Sequence, residues 1–466
     1  MRKKSASGAI AIVLVAAIVL SGCGTNSGAA SNEKTNVTAE TGQTEAAETN
    51  STEKAENTEK TVVTFQTWNP ADGGPDSAIY KIIDAFEAEN PDIEINYVYV
   101  DSGSHKEQLK VELMGGEGPD IYGMNTGVYY SEFRDFEEDI TPYCEKTWGS
   151  EWKNQFLDSC LGMLESDGAY YGLPLGMTYA GLAWADVNML KEYGLDVPKS
   201  YTELLEAGEV LRENGQLPMA IGAKDSWLNG DTFMSIANDV NSEKLYSAIE
   251  GETPFTDPDM VEAFKIWQDC FNDGVFQDGA IGMTLYNDVN DMFQKEGSIP
   301  LMLNGSWALN MYTLSDTETQ ATFNSDGADH DIFLVDWNDD GKVGPMTMSV
   351  DVVLCMNKYS EVKEEAFRFM DYLVHDGQEL LVNGYLEYMP TLSDMELQVE
   401  GLSEDGQQNL EFVCDNAKTN VGGPRMIDYS ELYTKLLDML EALAINEVTP
   451  EEAAQQMEAV SKSIQR

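Results

Sequence analysis

The stretch "TVVTFQTWNPADGGPDSAIYKIIDAFEAENPDIEINYVYV", residues 61–100, decides the fold class. Residues 61–68 are rich in β-branched and aromatic side chains and lead into a Gly/Pro turn, which predicts a strand followed by a loop. Apolar residues then recur at helical spacing until Asn90-Pro91 ends the helix, and residues 93–99 alternate as a second strand. The helical apolar positions are Ile79, Ile82, Ile83 and Phe86. A strand, a helix and a strand in so short a stretch form the unit of a parallel sheet, so we predict an α/β fold.

The same alternation recurs further along the chain. Residues 181–184 are predicted as a strand, and the helix after them begins with Ser200 and Glu203, which have capping-box spacing. Gly215 stands where a glycine is expected just past a helix end. Near the C-terminus, Thr449-Pro450-Glu451-Glu452 predicts another helix start, with a cap, a proline at the first helical position and a glutamate at the third. Residues 350–357, "VDVVLCMN", form another apolar strand that a helical pattern follows. The repeated alternation supports the α/β prediction over most of the chain.

The N-terminus predicts export. The apolar run in "AIAIVLVAAIVLSGC", residues 9–23, follows three basic residues and is shorter than the roughly 20 residues that a membrane span needs. We therefore interpret residues 1–22 as a signal peptide. Leu20-Ser21-Gly22-Cys23 resembles the lipobox of bacterial lipoproteins, which implies lipidation of Cys23 and attachment to the extracellular face of the cell membrane. An ordinary secretory signal cleaved near Gly22 or Gly24 is the alternative.

Residues 23–60 are predicted to be a disordered tether. From Gly24 to Lys60 there is no aromatic residue, and Val37 is the one large aliphatic side chain. Such a segment cannot bury enough apolar surface to offset the entropy of ordering it. We expect it to hold a folded body away from the membrane.

The charge excludes some partners. The chain has 82 Asp and Glu residues against 28 Lys and Arg, and its formal net charge is −54. A surface of this charge repels phosphate backbones and anionic lipids, so we expect no nucleic-acid partner and attachment through the lipid alone. We expect a monomer. Five cysteines beyond Cys23 are scattered, and a bridge between Cys144 and Cys160 stays open.

Several stretches resemble a known family. They are "VTFQTW" at 63–68, "LKVELMGGEGPDIYGMN" at 109–125, the long segment 170–222, "FQKEGSIPLMLNGSWALNMY" at 293–312, and 351–390. In this order they resemble the extracellular solute-binding proteins of bacterial ABC importers, family 1, the sugar-binding group that includes the maltodextrin-binding proteins. The resemblance implies a lipid-anchored protein that captures a carbohydrate, an oligosaccharide above all, and delivers it to the transmembrane subunits of a permease.

The resemblance also implies a two-lobe, periplasmic-binding-protein-like fold of type II, with the ligand cleft between lobes joined by crossing strands. The crossings are expected near Leu173–Leu175 and Met348–Val353. The expected N-terminal lobe contains residues 61–173 plus about 331–350. The expected C-terminal lobe contains residues 174–330 plus about 351–466.

Sugar binding calls for flat aromatic faces and for polar groups aimed at hydroxyls. Trp68 and Asn69 follow the first strand, at the edge of a parallel sheet where ligands bind. Trp307 in "NGSWAL" matches the family's tryptophan that stacks on sugar. For Trp68, a core position beneath the loop is the alternative. The predicted ligand-binding residues are Trp68, Asn69, Asn125, Tyr179, Trp227, Trp307 and Asp351.

A calcium site is a further hypothesis. Asp336, Asn338 and Asp340 alternate before Gly341, which resembles the start of an EF-hand loop. Thr347 stands at position twelve, where a glutamate is expected, so an acidic surface turn is the alternative. We expect no other cofactor.

An enzyme is not expected. His105, His330 and His375 have no metal-ligand spacing, and the chain has neither a Gly-x-Ser-x-Gly elbow nor a phosphate loop. A lipid-anchored glycoside hydrolase is the alternative from another class, because two carboxylates suffice for that chemistry. The same fold with a peptide or metal cargo is a third alternative.

Overall fold

The computed structural model describes residues 60–68, 77–100, 102–294, 298–313, 329–399 and 402–466. The predicted signal peptide, Cys23, Asn69 and all of the predicted tether except Lys60 lie outside the described residues. The strands are β1 (Thr61–Thr67), β2 (Ile93–Tyr99), β3 (Ile121–Met124), β4 (Glu165–Ser166), β5 (Ala169–Tyr170), β6 (Gly172–Ala180), β7 (Leu182–Asp186), β8 (Leu301–Asn304), β9 (His330–Phe333), β10 (Met346–Met356) and β11 (Val421–Pro424).

Helices separate and follow these strands. They are α1 (Ala78–Glu89), α2 (Ser102–Gly115), α3 (Val128–Glu132), α4 (Thr141–Trp148), α5 (Asp158–Gly162), α6 (Val187–Glu192), α7 (Tyr201–Glu213), α8 (Ser226–Ile249), α9 (Pro258–Asp269), α10 (Asn290–Gln294), α11 (Leu309–Thr313), α12 (Lys363–Val374), α13 (Asp376–Gln378), α14 (Glu404–Thr419), α15 (Ser430–Ala444) and α16 (Pro450–Ser461). Of the helices described, none is both long and apolar enough to cross a membrane.

The first sheet has the order β11-β10-β3-β1-β2, and β6 also pairs with β10. β1 pairs in parallel with β2 and β3, as the strand-helix-strand pattern predicts. β10 pairs with β6 in antiparallel register, from Thr347 opposite Ala180 to Cys355 opposite Gly172. This register shifts between Val350 and Val353, so β10 has an irregularity around Asp351.

The core of the first sheet is aromatic. The ring of Phe65 on β1 lies 5.7 Å from that of Phe369 on α12, and Phe86 on α1 lies 4.9 Å from the same ring. All three side chains are almost fully buried. Helix α12 therefore packs on β1 and α1.

The second sheet has β7 at its centre, paired in antiparallel register with β8 and with β9. The strand predicted at 181–184 is confirmed, and Trp184 within it is fully buried. Gly181, which has a φ of 84°, links β6 of the first sheet to β7 of the second. The chain thus passes between the two sheets at this glycine.

The predicted lobe boundaries differ from these pairings in two segments. The prediction places residues 331–350 in the N-terminal lobe, but β9 pairs with β7 of the second sheet. It places residues from 351 onward in the C-terminal lobe, but the C-terminal half of β10 pairs with β3 of the first sheet, on which α12 packs. Strand pairing is non-local, and the sequence of a segment does not state which distant strand it will join.

Two predicted helix starts are confirmed. Thr449 caps α16 through a capping box with Glu452, and the Ser200 side chain accepts a hydrogen bond from the Glu203 backbone at the start of α7. Cys144 and Cys160 are buried free thiols.

Candidate functional site

The site begins where β3 ends beside β10. Asn125 directly follows β3, and its side-chain amide donates to the backbone oxygen of Asp351 at 2.7 Å and to its carboxylate at 3.2 Å. β3 and β10 are antiparallel neighbours, and the register irregularity of β10 falls at Asp351. Two residues that are more than two hundred positions apart in the chain therefore meet.

A buried arginine is the centre of the site. Arg425 directly follows β11, and its backbone N–H donates to the carbonyl of Met348 at 2.8 Å. Its Nε donates to Oδ1 of Asp231 at 2.9 Å, and its Nη1 donates to Oγ1 of Thr178 at 3.2 Å. Nη1 also lies 3.5 Å from Oδ1 of Asp351. One guanidinium thus joins β6, β10 and α8.

Three aromatic rings continue from this arginine toward solvent. The guanidinium carbon of Arg425 lies 4.7 Å from the ring centroid of Trp307. Trp307 meets Trp227 at 5.9 Å in an edge contact, and Trp227 stacks on Tyr286 at 6.3 Å. Tyr286 is 45% exposed, so the row of rings reaches the surface.

The position of Trp307 depends on the turn that carries it. A Cβ at Gly305 would overlap the indole ring, so only a glycine permits this placement. The hydroxyl of Ser306 accepts a hydrogen bond from the backbone N–H of Tyr179 at 2.8 Å. Tyr179 itself is buried, and burial raises the pKa of its hydroxyl. Tyr179 therefore supports the turn through its backbone.

Burial alters the charges of the site. It raises the pKa of Asp231 to about 6, against the opposing effect of Arg425, and it raises the pKa of Asp351. The ammonium of Lys106, on α2, lies 3.1 Å from the ring centroid of Tyr129. Burial lowers the pKa of Lys106 to about 7, although the Asp351 carboxylate partly opposes this shift. Two cations and two carboxylates therefore share a poorly hydrated region.

Several polar atoms around these charges are buried without a hydrogen-bond partner among the described residues. They are Oδ2 of Asp231, Nε1 of Trp307 and Oη of Tyr433. Buried polar groups are almost always paired in folded proteins, so such atoms mark places where a ligand or ordered water can bond. A small cavity lies beside them, lined among others by Asp231, Asn304 and Trp307. The site can offer both donors and acceptors to hydroxyl groups.

Residues 71–379, more than half of the chain, match the family of bacterial extracellular solute-binding proteins. The chain belongs to this family. The multiple sugar-binding protein of Streptococcus mutans is 26% identical over 246 residues, which are 50% of this chain and 55% of that protein. An uncharacterized ABC transporter extracellular-binding protein of Pyrococcus horikoshii is 24% identical over 251 residues, 49% of this chain and 56% of the relative. The chain thus spans about half the length of these curated relatives.

Solved structures show the same fold. One from a study of xylan utilization by Caldanaerobius polysaccharolyticus superposes with a TM-score of 0.73 at 20% identity, covering 86% of this chain and 99% of that one. A chitin oligosaccharide binding protein gives 0.69 at 16% identity, covering 87% and 98%. The maltose-bound T. maritima MalE3 gives 0.67 at 18% identity, covering 86% and 99%. The predicted two-lobe α/β fold of solute-binding proteins is confirmed.

In this solute-binding protein, five of the predicted ligand-binding residues lie within one connected group. They are Asn125, Tyr179, Trp227, Trp307 and Asp351. Trp68 is not part of this connected group. Among the described residues its ring contacts that of His105, with the two ring centroids 5.1 Å apart. His105 in turn bonds the carbonyl of Gly123 at 2.8 Å, and burial lowers its pKa to about 4. A ligand-binding role for any of these residues stays a prediction.

In the loop predicted to bind calcium, side-chain oxygens accept hydrogen bonds from backbone N–H groups of the same loop. Asp336 accepts hydrogen bonds from the N–H groups of Asp340 and Gly341, at 3.0 and 2.7 Å, and Asn338 accepts from Asp340 at 2.9 Å. Asp340 accepts from the N–H of Lys342 at 2.8 Å. Within the described ranges, no group of three or more His, Cys, Asp or Glu side chains is placed to hold a metal ion.

The sequence reasoning missed the residues at the centre of the site. Arg425 is one of few arginines in an acidic chain, and that scarcity was the one signal that could have marked it. Asp231 has no such signal, because it is one of 82 acidic residues. Thr178 and Lys106 are likewise identified only by what they contact.

Proposed function

We propose that this solute-binding protein captures a carbohydrate, specifically an oligosaccharide, and delivers it to the permease of an ABC importer. The observation that carries the proposal is the row of rings from Trp307 to Tyr286, next to buried polar atoms that have no hydrogen-bond partner within the part of the chain that the structure describes. Aromatic faces pack against the C–H faces of a sugar, and the polar atoms can bond its hydroxyls. The names of relatives that bind multiple sugars, chitin oligosaccharide and maltose support the same cargo.

The chemistry of the site also supports a neutral cargo of several units. The row of three rings is longer than one sugar needs, and it reaches from a buried arginine to an exposed tyrosine. The carboxylates of Asp231 and Asp351 both face Arg425, so they balance its charge. We propose no catalytic step, because capture and release require none.

The location belongs to the same proposal. We propose that residues 1–22 direct export, that Cys23 is lipidated, and that residues 23–60 tether a monomeric body at the extracellular face of the membrane. The lipobox-like stretch "LSGC" at 20–23 supports this. Expression of the full chain and of C23A separates anchored from secreted protein. Cell-associated wild type and released C23A are expected, whereas release of both would contradict the anchor.

Isothermal titration calorimetry tests the cargo. The chain is unfolded and refolded to remove co-purified ligand, and is then titrated with malto-, xylo- and chito-oligosaccharides. We expect one series to bind with saturation, and W307L to weaken that binding by about tenfold, as the loss of one ring contact of roughly 1.4 kcal/mol implies. W148L is the matched control, because among the described residues the ring of Trp148 contacts Trp152, Phe156, Phe367 and His375 and none of the three rings of the row; it should bind as the wild type does.

Other outcomes would replace this proposal. No heat with any sugar, from a folded protein free of ligand, would contradict it and favour a peptide or metal cargo. Release of reducing ends during the titration would favour a glycoside hydrolase. A calcium ion at Asp336, Asn338 and Asp340 is a separate proposal that the alternating oxygen ligands support. A rise in melting temperature with calcium that D340A abolishes is expected, and an equal rise in D340A would contradict it.

A further inference from the structure

We infer that Arg425 is a positioning residue that couples the ring of Trp307 to the paired strands β6 and β10. The inference rests on the proposed function in one respect: Trp307 is taken as the ring that meets the ligand. Its structural basis is that one guanidinium contacts the indole ring, both strands and α8 at the same time.

The first step concerns the burial of the guanidinium. The side chain of Arg425 is 6% exposed, and that of its partner Asp231 is 4% exposed. A buried charge is strongly unfavourable unless its partners are well placed. Arg425 has two carboxylates and a hydroxyl, which fix the plane of the guanidinium. Its position is therefore determined by three separate elements of the fold.

The second step concerns what those elements are. Thr178 lies on β6 and Asp351 lies on β10, and these two strands pair with each other. β10 continues into its pairing with β3 of the first sheet, while β6 leads through Gly181 to β7 of the second. A relative movement of the two sheets would change the geometry around these strands. Such a movement would therefore change the distances from Arg425 to Thr178 and Asp351.

The third step concerns the ring. The guanidinium of Arg425 lies near Trp307, and the backbone of Gly305 limits the ring on another side. A guanidinium plane stacks on aromatic faces, which an ammonium group does less well. A ligand that moves Trp307 therefore acts on Arg425, and through it on β6 and β10. Coupling of this kind is reciprocal, so the arrangement of the strands also sets the affinity for the ligand.

The experiment uses R425K, which keeps the charge, and R368K as the matched control, since Arg368 is an exposed arginine on α12 that pairs with Asp92. The near-ultraviolet circular dichroism of Trp307 is obtained as the difference between each protein and its W307F counterpart. We expect the Trp307 signal to change sign or fall at least twofold in R425K and to stay the same in R368K. D351N, which keeps the arginine, should produce a smaller change of the same kind.

The affinity for the oligosaccharide series that binds the wild type in calorimetry is measured on the same proteins. We expect R425K to lose about tenfold in affinity and to lose the ligand-induced decrease in radius of gyration in small-angle X-ray scattering. An unchanged Trp307 signal in R425K would overturn the inference whether or not a sugar binds. A wild type that binds no sugar would contradict the proposed function alone, because the Trp307 signal of the free protein still decides the role of Arg425.

Discussion

Two arginines of this protein lie beside the same long strand, and they have different surroundings. Arg425 reaches Asp351, in the middle of β10, and its guanidinium lies against Trp307. Arg134 pairs with Glu137 at 3.2 Å, and Glu137 accepts a hydrogen bond at 3.5 Å from the thiol of Cys355, near the C-terminal end of β10. Each arginine pairs with a buried carboxylate, that of Asp231 for Arg425 and that of Glu137 for Arg134.

The difference lies in what covers the guanidinium. The guanidinium of Arg134 has two tyrosine rings beside it, that of the buried Tyr130 at 4.3 Å and that of the partly buried Tyr171 at 4.0 Å. The ring beside Arg425 instead continues through Trp227 to an exposed tyrosine. The rings beside Arg134 end at a partly buried tyrosine, whereas the row of rings beside Arg425 ends at a tyrosine that is 45% exposed. The comparison teaches that an ion pair with a buried carboxylate does not by itself predict a ligand site, and that the aromatic path to the surface is the feature that favours the region around Arg425.

The largest expected effect separates these two arginines directly. R425M should lower the free energy of unfolding by about 3–5 kcal/mol, because it leaves Asp231 buried without its cation. It should also abolish ligand binding. R134M should lower stability by less, because burial raises the pKa of Glu137 to about 8, so this carboxyl can stay protonated near neutral pH without a cation. R134M should leave ligand affinity unchanged. Urea unfolding and calorimetry measure both, and equal losses of affinity in the two variants would remove the distinction.

The pH dependence of stability should differ between the two ion pairs. Burial raises the pKa of Glu137 from 4.5 to about 8 and that of Asp231 from 3.8 to about 6. Between the ordinary and the raised pKa the unfolded chain binds fewer protons than the folded one, so stability falls as pH rises. E137Q should therefore gain stability relative to the wild type from pH 4.5 to 8, and D231N from pH 3.8 to 6.

Urea unfolding at a series of pH values measures these differences. Parallel profiles for wild type and E137Q would show that Glu137 is ionised in the folded protein and that the two ion pairs are more alike than the structure indicates. A stability gain of D231N that continued to pH 8 would show that the pKa of Asp231 is raised as far as that of Glu137, and so that the two ion pairs are alike.

The smallest expected effect concerns Thr178. T178V keeps the shape of the side chain and removes the hydroxyl that accepts from Nη1 of Arg425 at 3.2 Å. We expect a loss of about 1 kcal/mol in the free energy of unfolding, typical of one hydrogen bond, since Asp351 still faces the same nitrogen. Affinity should fall by less than threefold. A tenfold loss would assign to Thr178 a share of the coupling now assigned to Arg425.

Much of the fold could be predicted because its signals are local. The strand-helix-strand pattern of residues 61–100 and the helix starts at Ser200 and Thr449 depend on neighbours within a few positions. The division of residues 331–390 between the sheets could not be predicted. It depends on which distant strands pair with β9 and β10, and an apolar strand can satisfy its backbone on either sheet.

The site divides in the same way. Trp307 could be selected from the family resemblance and Trp227 from its place in a polar stretch, and the two rings meet in the structure. Arg425 and Asp231 could not, because a charged residue in a chain with 82 acidic side chains is expected at the surface. Only their burial and their mutual contact distinguish them.

The sequence by itself determined the α/β class, the resemblance to solute-binding proteins, the export signal as a prediction, and two of the three rings of the site, Trp307 and Trp227. These follow from periodicity, composition and short motifs, which are local properties of the chain. The tertiary structure alone decided that β6 and β10 pair beside Arg425, that this arginine is buried, and that its guanidinium lies against Trp307. These facts depend on contacts between residues far apart in sequence, where packing and burial, not local preference, set the free energy.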